Sequence, residues 1–194
     1  MFDIRKQTIA IAVFAAMAAT AQAQETLKVT SGDVTVVCPL TVGGSFEAKT
    51  KEVSGQVGPA PQQPGTVGGT IQVKLDTLQT GIEMRDHHMK ENYLEVGKGA
   101  NYAVAVLDNI KVDKVDGKSS FRASLTLHGQ TREVTGTALV QKKDAGVHVE
   151  AQFPIKVSEF QIPKPTYLGV GVRDEIQVKV SLSALPATTT ASRH

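Results

Sequence analysis

The sequence predicts an all-β protein: an extended antiparallel β-barrel of about eight strands, with one short helix between strands. Three observations carry this reading. Apolar and polar residues alternate with period two over long stretches, the mark of a sheet with one dry and one wet face. Turn signals separate these stretches at short intervals, and no strand–helix–strand rhythm intervenes. About eight or nine antiparallel strands then fit best into a closed or nearly closed barrel, because closure removes exposed edges. A two-sheet sandwich is the alternative architecture.

The first residues stand apart from the fold. Arg5 and Lys6 precede an uncharged apolar run, Ile9 to Ala19, and Ala21-Gln22-Ala23 then offers small residues at the −3 and −1 positions. The run is too short to span a bilayer as a stable helix. Residues 1–23 are therefore expected to be a signal peptide cut between Ala23 and Gln24. A single domain follows over 24–183, and a disordered tail over 184–194 that lacks periodicity.

Within the domain, Thr26–Thr30 and Val34–Val42 read as the first strands, followed by Phe46–Val57. Gly58 to Gly69, with Pro59, Pro61 and Pro64, reads as a loop. Ile71, Val73 and Leu75 alternate with polar residues. Ile82 to Leu94 is the one helical segment, with Ile82, Arg85/Asp86, Met89 and Tyr93 on one side; Asp86 could cap a shorter helix starting at His87. Tyr102–Val112 is the next strand. Phe121, Ala123, Leu125 and Leu127 then alternate with Arg122, Ser124, Thr126 and His128, and His128-Gly129-Gln130 turns the chain into Val134–Lys142. From Val147 to Val157 every odd position is apolar and every even one polar or proline. Ile176, Val178, Val180 and Leu182 form the last inward row.

Composition narrows the function. Removing residues 1–23 takes away Arg5, Lys6 and Asp3, leaving a chain close to neutral whose charges are spread singly, so nucleic acid is not an expected partner. An outer-membrane barrel would need aromatic girdles; this chain has no Trp, and its polar strand faces carry Lys, Arg and Glu. The mature protein is expected to be water-soluble, without integral membrane insertion. The lone Cys38 cannot form an intrachain disulfide and reads as a buried strand residue, with a homodimer left open.

No residue pattern points to catalysis or to a cofactor. His87 and His88 are adjacent, so on a helix they point about 100° apart and cannot ligate one metal ion as an i, i+4 pair would. His128 lies in a hairpin and His148 on a polar face, and no CxxC, HExxH or G-x-S-x-G accompanies them. The glycine pairs at 43–44 and 68–69 lie at strand junctions, where turns account for them. The run Arg85-Asp86-His87-His88-Met89 has two readings: an exposed helix at one barrel end with Arg85 and Asp86 paired, or a lid offering polar groups to a ligand's head.

Three segments together resemble a known family. Leu75-Asp76-Thr77-Leu78-Gln79-Thr80-Gly81-Ile82-Glu83-Met84-Arg85-Asp86-His87-His88-Met89 is similar to the strand-to-helix signature, with its Arg-Asp-x-His-Leu/Met motif, of the YceI-like, lipocalin-like polyisoprenoid-binding proteins. Leu125-Thr126-Leu127-His128-Gly129-Gln130-Thr131-Arg132-Glu133-Val134 resembles that family's L-T-L-x-G-x-T-x-x-V hairpin. Asp174-Glu175-Ile176-Gln177-Val178, after Phe160 and Ile162, resembles its last strand. The resemblance implies a long apolar cavity that accepts an isoprenoid chain, in a periplasmic or secreted carrier. On it rests the expectation of an isoprenoid lipid or quinone-like ligand. Its apolar tail would meet Phe121, Leu125, Leu127, Val149, Phe153 and Ile155 on the inward faces, and its head group Arg85 and His88. A structural or stress-response barrel filled by its own side chains is the alternative, and a barrel isomerase or cyclase a weaker third.

Overall fold

The computed structural model describes residues 26–59, 66–114, 116–167 and 169–187. The segment expected to be a signal peptide lies outside the described residues, as do 188–194 of the expected tail.

Eight antiparallel stretches close into a barrel. In chain order these are β1 (Leu27–Pro39), β2 (Ser45–Thr50) continued by β3 (Val53–Pro59), β4 (Thr66–Lys74), β5 (Val104–Val112), β6 (Gly117–Leu127), β7 (Gln130–Lys143), β8 (Gly146–Lys156), and, after the short strands β9 (Thr166–Tyr167) and β10 (Val170–Gly171), β11 (Glu175–Pro186). Neighbours in sequence pair in space, and β1 closes the circle against β11 from Leu27↔Pro186 to Val37↔Gln177. The barrel, not the sandwich, is the observed architecture.

The expected strand Phe46–Val57 is one barrel position broken in two. β1 pairs with β3 through Leu27 and Lys28, then with β2 from Val34 to Pro39. Gly32 lies between, where a β-carbon would fall 2.8 Å from that of Val53. The missing side chain lets the two strands cross closely. The two expected strands 26–30 and 34–42 are accordingly one, with a bulge between Val29 and Ser31.

Four further expectations need correction. The loop expected over Gly58–Gly69 is shorter, because β3 runs to Pro59 and β4 starts at Thr66. Gly69 is in β4 at φ +105°, beside a register shift against β5, so a glycine that looked like a loop residue forms a bulge. The tail begins later than expected, since β11 carries Ala184 to Pro186 into the sheet. Asp86 starts no helix: α1 spans Glu83–His88, continues as a π-turn over Met89–Tyr93, and holds Asp86 inside it. The Asp86 carboxylate instead accepts from the Thr80 amide at 2.7 Å and the Thr80 hydroxyl at 2.6 Å, tying the entry loop onto the helix. A second helical turn, α2 (Ala100–Ala103), replaces the expected first residues of β5.

The β4–β5 connection, with α1 and α2, covers one end of the barrel. The inward rows forecast by alternation are the core: Phe121, Ala123, Leu125 and Leu127 on β6, Phe153 and Ile155 on β8, Ile176, Val178 and Leu182 on β11 are all buried. Among the described residues no helix is long and apolar enough to cross a membrane.

Candidate functional site: an apolar bore

The barrel is hollow. A cavity of about 1190 Å³ runs along its axis from the helical cap to the opposite rim. This exceeds the roughly 300–1,000 Å³ of ordinary small-molecule sites. A barrel filled by its own side chains, the alternative reading, is not what forms.

The wall follows from strand alternation. Phe121, Leu125, Leu127, Val149, Phe153 and Ile155 all face the cavity, so every residue expected to meet an apolar tail lies on its wall. Phe121 and Phe153 meet edge to face, with centroids 5.7 Å apart and planes at 89°. Sequence reasoning passed over part of the wall that the same signal could have found: Val34, Val36 and Cys38 alternate along β1, with Leu40 just beyond its end, and Phe46 and Ala48 along β2.

At the capped end Arg85 and His88 of α1 reach the cavity together with Met89 and Tyr93. Arg85 does not pair with Asp86. Its guanidinium lies 4.4 Å from the centroid of the Phe46 ring, a cation–π contact that fixes a charge at the edge of an apolar space. Cys38 faces the same region. Burial pushes its thiol up to about 11, with the positive charge of Arg85 pulling weakly the other way. At neutral pH it is a protonated thiol, and a poor nucleophile.

Below the helical cap is a polar cluster that sequence reasoning passed over. His128 and Gly129 both have positive φ, 51° and 71°, as the tight hairpin between β6 and β7 requires. The buried His128 ring faces two acceptors: the Phe160 carbonyl 3.0 Å from Nδ1, and Glu95 Oε2 3.1 Å from Nε2. A carbonyl can only accept, so Nδ1 carries a hydrogen; Nε2 donates to the carboxylate only in the charged ring. Tyr102 packs edge-on at 4.7 Å and Lys98 bonds Glu95 at 2.6 Å. The cluster clamps the 95–103 segment onto the barrel and is separate from the bore. The only sequence signal was the His-Gly turn itself. Among the described residues no group of three or more His, Cys, Asp or Glu could hold a metal ion.

Comparison with known proteins agrees with this geometry. A family model described as the YceI-like domain matches residues 12–184. No curated protein matches the chain. Among solved structures the chain is similar to Burkholderia cenocepacia BcnA, with a TM-score of 0.65 and 20% identity over 78% of this chain and 95% of that one. It is also similar to a polyisoprenoid binding domain from Saccharophagus degradans implicated in plant cell wall breakdown, with a TM-score of 0.63 and 16% identity over 84% and 99%. The Campylobacter jejuni YceI protein gives a TM-score of 0.54 and 17% identity over 72% and 84%. At these identities the likeness is one of fold.

Proposed function

The chain belongs to the YceI-like family, and from that membership and its hollow interior we propose that it is an exported binding protein, periplasmic or secreted, that holds an isoprenoid lipid or quinone-like molecule in the barrel. The observation that carries this reading is the bore of about 1190 Å³, walled along its length by aliphatic and aromatic side chains. Water inside such a wall lacks hydrogen-bond partners. An apolar chain in its place is stabilised by about 25 cal/mol for each Å² removed from water, before ordering costs. A methyl-branched hydrocarbon suits a long, narrow space lined by Val, Leu, Ile and Phe. The polyisoprenoid binding domain from Saccharophagus degradans, which has this fold, supports the choice of tail. Phe121, Leu125, Leu127, Val149, Phe153 and Ile155 contact the tail, and Arg85 with His88 meets the head group under the helical cap.

Native mass spectrometry of the purified protein, followed by solvent extraction, tests the reading. A bound mass that extraction identifies as a prenyl compound is expected. Protein that is recovered empty and takes up no added prenyl alcohol would overturn it. Export has its own test: the soluble protein should begin at Gln24, and an intact Met1 would remove that part.

A further inference from the structure

We propose that the barrel rim opposite the helical cap docks on a bilayer containing anionic phospholipid. The proposal rests on the binding function above, since it names the surface from which the apolar chain enters the bore.

The rim consists of the start of β1, the β5–β6 and β7–β8 connections, and the end of β11. Register makes it continuous: Lys28 lies opposite Leu185, Ala184 opposite Val147, Val147 opposite Lys142, and Lys111 opposite Thr66. Lys28, Lys111, Lys114, Lys142 and Lys143 stand exposed around it, against Asp113, Asp116 and Asp144. Among the described residues, none of these five lysines is in an ion pair. Toward the capped end Lys98 pairs with Glu95, Lys156 with Glu159 and Lys164 with Asp174, while Lys74, Arg85, Lys90, Arg132 and Arg173 are in no ion pair among the described residues. Five exposed lysines against three aspartates leave an excess of positive charge around the uncapped rim.

The bore reaches this rim. Leu27, Val57, Val147 and Ala184 line it there, and so does Lys142. Along β7 the inward row runs Ala138, Val140, Lys142, so the apolar wall ends in an exposed ammonium. Leu185, 45% exposed, adds an apolar side chain to the rim. A ring of cations around an apolar opening complements a surface with phosphates outside and hydrocarbon beneath. Lysine suits this, because its stem can lie on apolar groups while its ammonium meets the phosphate. A nucleic acid or an acidic protein would match the charge and leave the opening unmatched.

Flotation of the full chain with vesicles tests the proposal. Vesicles of phosphatidylcholine mixed with phosphatidylglycerol should bind the protein, phosphatidylcholine alone should bind it less, and added salt should release it. Combining Lys28→Gln, Lys111→Gln, Lys142→Gln and Lys143→Gln should weaken binding by about fivefold per lysine. Replacing Lys49, Lys51, Lys156 and Lys164 by Gln removes equal charge away from the rim and should leave binding nearly unchanged. Residues 1–25 are common to all these proteins and drop out of the comparison. Equal losses in the two variants, or binding indifferent to phosphatidylglycerol, would overturn the docking surface. Stabilisation by farnesol without vesicles reads the bore alone. Farnesol binding without rim-dependent flotation sinks only the docking surface, whereas loss of both sinks the binding function as well.

Discussion

At the scale of single residues, Phe153 and His128 show how differently two buried side chains can be read. Phe153 is 5% exposed, meets Phe121 edge to face and faces the bore. Phe153→Ala is expected to cost about 3–5 kcal/mol in a denaturant melt. Part of that loss should reappear as weaker prenyl binding or an altered chain-length preference. A change within about 0.5 kcal/mol, with binding untouched, would contradict the wall assignment. Phe153 was legible because strand alternation marks a face without reference to distant residues. His128 was not, because its partners Glu95 and Phe160 lie 33 and 32 residues away in sequence. Glu95 gives the cluster a pH signature. Its carboxyl is held below the ordinary 4.5, chiefly by its bond with Lys98, and further by His128. A depressed folded-state value stabilises above the ordinary one and is lost as pH falls through the folded value. Wild type should therefore lose more stability than Glu95→Gln on acidification below 4.5. Parallel acid limbs in thermal melts of the two proteins would show the clamp to be idle.

At the scale of elements, backbone approach sets the closeness of the strands, and Gly136 tests it. Gly136 sits on β7 opposite Phe121 of β6. A β-carbon there would fall 2.3 Å from the carbonyl oxygen of Gln152 on β8 and 2.7 Å from the β-carbon of Phe153. The oxygen belongs to a sheet backbone and cannot swing aside. Gly136→Ala should destabilise by about 1–3 kcal/mol, as overpacking does, even though alanine suits an extended backbone better. An unchanged denaturation midpoint would mean that β7 and β8 part freely. The same physics explains what was legible in the elements. Strands β6, β8 and β11 each bury one row, so their period-two pattern exposed them. The join between the first two expected strands, the break at Lys51–Glu52 and the bulge at Gly69 depend on where a neighbouring strand crosses. Nothing local encodes that crossing, and a glycine in a bulge resembles a glycine in a loop. The helix 82–94 was placed correctly as a helical segment, but its π-turn and the Thr80 tie of Asp86 come from how the cap folds over the barrel.

At the scale of the whole molecule, the bore has a length and so sets a limit that a ligand series can measure. Eight strands close around it, and its wall extends from Arg85 and Phe46 under the cap to Leu27 and Lys142 at the far rim. Each methylene that enters an apolar wall contributes about 0.8 kcal/mol, so affinity should climb as isoprene units are added. It should stop climbing when the chain spans the bore, because further units emerge into water and add ordering cost without burial. In thermal melts at fixed ligand concentration, stabilisation should rise from short to longer prenyl alcohols and then level off. At one hundred times the dissociation constant, a ligand confined to the native state adds about 2.7 kcal/mol, a shift large enough to resolve. Lys142 marks where the apolar wall ends, and Lys142→Leu would extend it by one side chain. The plateau in that variant should move toward longer chains while the rise at short lengths stays the same. A plateau that ignores Lys142 but shifts in Arg85→Leu would mean that the tail leaves the barrel through the capped end, with the orientation of the bound molecule reversed. Stabilisation that is flat across the whole series would mean that the length of the bore takes no part in recognition.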